Sequence, residues 1–227
     1  MVSFAHGDRA SARLQVKHLG VCDYEPVWRD MQSFTRQRGP ETVDQLWLLQ
    51  HRPVLTLGMN GKREHLLEPG NIPVVAIDRG GQVTYHGPGQ LVVYALLDLK
   101  RLGTGIRGLV TALEQSVIDW LGSHGVAAYA RADAPGVYVD GAKLAALGLR
   151  VKRGCSYHGL AVNVDMDLAP FARINPCGYK GMQITQVKNL GLDLTVDAVA
   201  QQWLPYFTGR LGCSSGKTPM PAVAGDG

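Results

Sequence analysis

Val137-Tyr138-Val139-Asp140-Gly141-Ala142-Lys143-Leu144-Ala145-Ala146-Leu147-Gly148-Leu149-Arg150-Val151 is the stretch whose reading decides the class of fold. Residues 137–139 and 143–151 read as strands, and Asp140-Gly141 between them is a two-residue turn signal, because both positions tolerate positive φ. A hairpin joins antiparallel neighbours, so a sheet that contains it is not built only from β-α-β crossovers. Residues 159–164 continue this hairpin-rich region. Upstream, 46–49, 54–57, 74–77 and 91–97 are short apolar runs bounded by Pro, Gly or Asn, as expected for strands of a buried sheet. Helical spacing marks 24–38 (Val27, Trp28, Met31, Phe34, then Gly39-Pro40 as a stop) and 109–121. A last helix opens at Leu194-Thr195-Val196-Asp197 and runs through Gln202 and Trp203. Strands and helices are interspersed without regular alternation, which predicts one α+β domain over residues 1–213 with a mixed sheet packed by helices. Residues 214–227, rich in Gly, Ser, Pro and Ala, read as a flexible tail.

The 227 residues are 45% hydrophobic and 19% charged, ordinary for a globular domain. A net charge of +4 leans mildly towards acidic partners, yet no basic block resembles a nucleic-acid arm. Cys22, Cys155, Cys177 and Cys213 form neither a CxxC pair nor a dense disulfide pattern, which fits a reducing cytoplasm. There is no signal-peptide pattern near Met1 and no run of about 18 apolar residues that would span a bilayer. No His, Cys and carboxylate cluster has the spacing of a zinc site.

Four blocks could carry chemistry. In Ile174-Asn175-Pro176-Cys177-Gly178-Tyr179 a thiol sits between a stiff proline and a permissive glycine. It is either a presented nucleophile or a packed small hydrophobe, since free cysteines are commonly buried. Arg79-Gly80-Gly81-Gln82-Val83-Thr84-Tyr85-His86-Gly87-Pro88-Gly89-Gln90 is neither a Walker loop nor a dinucleotide fingerprint. It reads as a tight hairpin loop or as a surface on which a chain lies along bare backbone. Lys143 interrupts a small and apolar run; its ammonium either snorkels to water or is desolvated, and in the second case it can stabilise a thiolate or exchange protons. Ser156-Tyr157-His158-Gly159-Leu160-Ala161-Val162-Asn163-Val164 reads as a strand whose histidine is structural or a base.

Together RGGQVTYHGPGQL, GAKLAALGL, HGLAVNV and INPCGYKGMQ, in this order, resemble the lipoyl(octanoyl) transferase family, and the likeness extends to His51-Arg52-Pro53-Val54-Leu55-Thr56-Leu57-Gly58 and Glu64-His65-Leu66-Leu67. It spans about residues 15 to 210, with Val93 standing where a glycine is common and 102–108 less apolar than the pattern. The resemblance implies the α+β fold of biotin and lipoate protein ligase catalytic domains, distantly like class II aminoacyl-tRNA synthetases. It implies a cytoplasmic, monomeric acyltransferase with no cofactor and no need of ATP. The enzyme would move an octanoyl group from octanoyl-acyl carrier protein to a lysine on lipoyl domains of 2-oxoacid dehydrogenase complexes and on the glycine cleavage H protein. By the same resemblance Cys177 is the acyl-thioester nucleophile and Lys143 the residue that lowers its pKa. Substrate contacts are implied for Arg79, Gly80, Gly81, Gln82, Val83, Thr84, Tyr85 and His86, for Ala146, Leu147 and Gly148, and for Gly159, Leu160 and Ala161. A ligase of the same fold would need no thiol at Cys177, and a non-catalytic carrier-binding module would need no Lys143 beside it. Backbone N–H groups at an expected turn over Ala146–Gly148 would stabilise the oxyanion. Each buried methylene contributes about 0.8 kcal/mol, so short chains bind weakly, whereas longer ones are rejected only by a rigid end wall.

Overall fold

The computed structural model describes residues 13–179, 181–212 and 214–216. Its first strand, β1 (Arg13–Cys22), escapes sequence reading because a bulge between His18 and Gly20 breaks the alternation of Leu14 and Val16 with polar neighbours. Helix α1 (Tyr24–Gln37) follows, then β2 (Asp44–His51), β3 (Val54–Leu57), β4 (Val74–Ala76), β5 (Val83–His86) and β6 (Gln90–Leu96). Helix α2 (Ile106–Ser123) precedes β7 (Tyr129–Ala130), β8 (Gly136–Val139), β9 (Ala142–Lys152) and β10 (Cys155–Asn163). Helix α3 (Val196–Leu211) and β11 (Ser214–Gly216) complete the described chain. The start of the expected tail thus pairs with Arg13–Gln15 as β11, and residues 217–227 lie outside the described residues.

Eight strands form one mixed sheet in the order β11-β1-β2-β6-β10-β9-β8-β7; β4-β3-β5 form a small second sheet. The β8–β9 turn places Asp140 and Gly141 at φ 48° and 83°, as its residues require. Arg153-Gly154, at φ 53° and 80°, makes a second two-residue turn between β9 and β10. Strand β6 lies at the centre, which is why it reads as an unbroken apolar run. Its Leu91, Val93 and Ala95 join Leu109, Leu113, Trp120, Trp203 and Phe207 of α2 and α3 in the main core. Its Val92, Tyr94 and Leu96 face the opposite side with Val27 and Met31 of α1. Trp203 donates Nε1–H to Ser116 Oγ at 2.8 Å, joining the two helices of the main core.

Two buried polar groups hold the α1 side together. Asp44, 2% exposed, accepts from Arg38, from Arg101 Nη2 at 2.8 Å and from the Asp98 N–H at 2.8 Å, all on Oδ1. Nearby, His51 Nδ1 lies 3.1 Å from the Cys22 carbonyl and Nε2 2.7 Å from the Tyr94 hydroxyl. A carbonyl only accepts, so Nδ1 carries the proton and Nε2 accepts from Tyr94. His86 stacks on Tyr24 and donates Nδ1–H to Gln90 Oε1 at 2.7 Å, while Gln90 Nε2 donates to Asn163 Oδ1 at 2.9 Å. Burial pushes the pKa of His51 down to about 4 and that of His86 to about 3.

Two outcomes follow for stability. Asp44→Ala strands Arg38 in the interior and lowers the unfolding free energy by about 3–5 kcal/mol in urea titration; a loss under 1 kcal/mol contradicts this account. Below pH about 6.5 the unfolded chain binds protons that His51 and His86 refuse in the fold. Their contribution is therefore complete above that pH and declines as pH falls towards 4 and 3. The slope reaches about 1.4 kcal/mol per pH unit for each histidine. His51→Gln should flatten it in denaturation curves between pH 7.5 and 5.

Candidate functional site

The glycine-rich block is neither a plain loop nor a simple hairpin tip: residues 83–86 of it form β5, antiparallel to β3, and 79–82 arch over the large sheet. Asp78 anchors the arch. Its carboxylate accepts Trp28 Nε1–H at 2.8 Å and Gln32 Nε2–H at 3.1 Å from α1, and bonds Tyr157 Oη at 2.5 Å and His158 Nε2 at 2.9 Å on β10. Consecutive strand residues ordinarily face opposite sides. Here His158 takes φ 61°, a left-handed conformation rare for a residue with a Cβ, and its ring stacks on Tyr157 so that both reach Asp78. Burial works to raise the Asp78 pKa, and the bonds from His158, Tyr157, Trp28 and Gln32 override it and hold the carboxyl well below its usual range. Burial lowers the His158 pKa, and Asp78 opposes that shift. Its Nδ1 is buried without a hydrogen-bond partner.

Arg79, 8% exposed, binds the arch to itself and to β3. Nη2 donates to Thr56 O and Oγ1 at 2.9 Å each and to Gln82 O at 2.8 Å, and Nη1 donates to Gly80 O at 3.0 Å. The Gly80 N–H reaches Leu149 O at 2.9 Å, fastening the arch to β9. A Cβ on Gly148 would come within 2.9 Å of Arg79 Cδ and of Gly80 O, so only glycine lets β9 pass beneath the arch.

Between arch, β6, β9 and β10 lies a cleft with about 510 Å³ of empty volume. Of the residues expected to touch substrate, Arg79, Gly81, Gln82, Val83, Thr84 and His86, Ala146 to Gly148, and Gly159 to Ala161 line it. Gly80 lines an adjoining outer cavity of about 850 Å³ instead. Tyr85 turns away and packs edge-on against Phe171, with ring centroids 5.5 Å apart. Ala146, Leu147 and Gly148 do not form the expected turn: they lie inside β9, opposite Ala161, Leu160 and Gly159 of β10.

Gly81, Gln82, Leu147 and Gly148 belong to both cavities and mark where they join. Lys143 lies beside the outer cavity with 3% exposure, so the desolvated alternative holds and the snorkelling one does not. Its Nζ donates to Pro135 O at 3.1 Å and stands 5.2 Å from the centre of the Tyr138 ring. A Cβ on Gly136 would sit 3.0 Å from Lys143 Cε, so a bare backbone gives the ammonium its path. Glu114 accepts the Gly136 N–H at 2.8 Å. Burial raises the Glu114 pKa, while that N–H and the Lys143 charge lower it.

The backbone of Cys177 lies in a 3-10 turn over Pro176–Gly178, and its side chain is outside the described part of the structure. Two contacts tether this turn to the cavities. Gly178 packs on the Gln82 amide, where a Cβ would fall 2.7 Å from Nε2, and Tyr179 donates its hydroxyl to Asp133 O at 3.3 Å while lining the outer cavity. Downstream, the Lys143 N–H donates to Gln183 O at 2.8 Å and the Thr185 N–H to Lys143 O at 3.0 Å. The chain that carries Cys177 therefore returns directly onto Lys143.

The other thiols offer a contrast. Burial raises the pKa of Cys155, and burial with Asp23 raises that of Cys22, against a nucleophilic role for either; Cys213 lies outside the described residues. Among the described residues no group of three or more His, Cys, Asp or Glu could hold a metal ion, and no helix is long and apolar enough to cross a membrane. Sequence reading passed over Tyr24, Val92 and Tyr94, which line the cleft, and Asp78, Pro135 and Gly136, which support it. The first three are ordinary core positions in their own elements. Only Asp78, a carboxylate directly before Arg79-Gly80-Gly81, carried a local signal.

Residues 23–208 match the family model of the lipoyl protein ligase A/B catalytic domain. An octanoyltransferase of Chromobacterium violaceum is 59% identical over 199 residues, 88% of this chain and 96% of that protein. One of Thiobacillus denitrificans is 65% identical over 184 residues, 81% of this chain and 84% of that protein. Among solved structures, lipoate-protein ligase A bound with ATP superposes with a TM-score of 0.71 at 14% identity, covering 93% of this chain and 90% of that one. The bipartite lipoate protein ligase of Thermoplasma acidophilum gives 0.68, also at 14% identity, over 93% and 88%. At that identity the likeness concerns the fold alone, and it is the expected one. With relatives this close over this much of its length, the chain belongs to the octanoyltransferases, acyltransferases built on the lipoyl protein ligase A/B catalytic domain.

Proposed function

We propose that this chain takes its octanoyl group from octanoyl-acyl carrier protein, holds it as a thioester on Cys177, and passes it to a lysine amine of a lipoyl domain. The observation that carries this reading is Lys143. It is a buried ammonium held by the carbonyl of Pro135, a residue that lines the outer cavity, and its backbone is bonded to the segment that follows the Cys177 turn. An ordinary thiol, with pKa about 8.5, is only slightly ionised at neutral pH, and a nearby positive charge in a dry setting raises the thiolate fraction.

In the first half, the Cys177 thiolate attacks the carrier thioester carbonyl and a new C–S bond forms. On β9 the Leu149 carbonyl points away from β10 to accept the Gly80 N–H, so by strand alternation the Leu147 N–H points to the same edge. It is the backbone donor assigned to the oxyanion. Collapse breaks the C–S bond to the carrier, whose thiolate leaves with a proton from Lys143. In the second half, the neutral lysine amine of the lipoyl domain attacks the Cys177 thioester. The new C–N bond forms, the C–S bond to Cys177 breaks, and the amine proton passes to Lys143. Thiolate and ammonium are restored. Thioester exchange followed by amide formation runs downhill, so no nucleotide is consumed. The lipoyl-domain acceptor is supported by the Thermoplasma ligase, which is described together with its E2 lipoyl domain.

Intact mass after mixing the protein with octanoyl-carrier should show one octanoyl increment on wild type and none on Cys177→Ser. Lys143→Ala should slow loading on the order of 10²–10⁴-fold. Lys143→Arg, which keeps the charge but gives up no proton, should lower kcat more than it raises KM. An ATP-dependent octanoyl-adenylate without a thiol adduct would overturn the proposal in favour of a ligase.

A further inference from the structure

The cleft has two unlike ends. Its mouth, at Gly81, Gln82, Leu147 and Gly148, opens to the outer cavity beside Lys143. Its far end is made by Tyr24, His86, Val92 and Tyr94, none more than 6% exposed, so it is interior. On the reading of this cleft as the acyl site, we propose that the far end is a rigid stop that sets chain length, with Val92 and Tyr94 as specificity-determining residues.

A stop must resist being pushed, and each ring here is tied. The Tyr94 hydroxyl bonds His51 Nε2 at 2.7 Å, and His51 Nδ1 bonds the Cys22 carbonyl at 3.1 Å. The Tyr24 ring stacks on His86 with centroids 5.9 Å apart. His86 is fixed by Gln90 at 2.7 Å. Rotating the Tyr94 or His86 ring to admit two more carbons leaves a buried donor or acceptor unpaired. Behind Val92 and Tyr94 stand Val27 and Met31 of α1, packed without room to retreat.

A stop must also accept a terminal methyl. With their pKa values at about 4 and 3, His51 and His86 are neutral near pH 7, so neither ring sets a charge at the chain end. Along the cleft, Gly148, Gly159 and Ala161 present little side chain, so the passage admits a chain while its end does not yield. The pattern of small residues on β9 and β10 describes a path for any alkyl chain; its length is decided by residues on α1, β5 and β6.

Loading rates of Cys177 with hexanoyl-, octanoyl- and decanoyl-carrier, followed by intact mass, test this. Wild type should load octanoyl at least tenfold faster than decanoyl, and hexanoyl roughly tenfold slower than octanoyl because two methylenes of burial are lost. Val92→Ala enlarges the end and keeps every hydrogen bond; it should bring decanoyl within threefold of octanoyl. Tyr94→Phe keeps the ring and removes its latch to His51, and it should also narrow the ratio. Cooperative thermal melting of both variants establishes that they fold. Equal octanoyl and decanoyl rates on wild type, or an unchanged ratio in both folded variants, overturn the stop while leaving the thioester route intact. No octanoyl adduct on wild type overturns the acyl reading itself, and the stop with it.

Discussion

The carboxylate of Asp78 is the contact on which the site depends. Four hydrogen bonds converge on it, two from α1 and two from adjacent residues of β10, and it stands directly before the arch over residues 79–82. Three parts of the chain far apart in sequence are thus held at one point. The left-handed backbone at His158 is the strain accepted in return, since it lets Tyr157 and His158 face one carboxylate, Tyr157 at Oδ2 and His158 at Oδ1. With Asp78 fixed, Arg79 can tie the arch to Thr56, and Gly80 can hold it to Leu149.

The electrostatics of the cleft divide along its length. At its inner end burial drives His51 and His86 to their neutral forms, and His51 is hydrogen-bonded to Tyr94 and His86 to Gln90. Buried positive charge sits in Arg79, which lines the cleft and donates to the carbonyls of Thr56 and Gln82, and in Lys143, which donates to Pro135 O. A carbonyl dipole and an aromatic face steady the Lys143 ammonium.

Much of the fold was legible. The Asp140-Gly141 turn, the apolar runs of β2, β3 and β6, the periodicities of α1 and α2 and the opening of α3 each have a local cause that survives in the structure. Strand β1 was missed because its bulge shifts the alternation, and β5 because its four residues sit among glycines that read as loop. Of the residues expected to touch substrate most line one cleft, but Gly80 lines the outer cavity and two local readings differ. Tyr85 points into a separate core with Phe171, and Ala146–Gly148 is strand rather than turn. Side-chain direction in a strand depends on register, and register depends on partners that no local pattern names.

What the sequence alone determined was the inventory: a thiol between Pro176 and Gly178, a lysine in an apolar strand, glycines wherever backbones pass closely, and a hairpin that excludes regular crossovers. Only the tertiary structure decided that Lys143 is buried and which carbonyl holds it, that Asp78 gathers α1 and β10 under the arch, and that Tyr24, Val92 and Tyr94 close the cleft. The physical reason is that burial and hydrogen-bond pairing are properties of surroundings. A residue's type sets what it can do, and long-range packing sets which of those things it does.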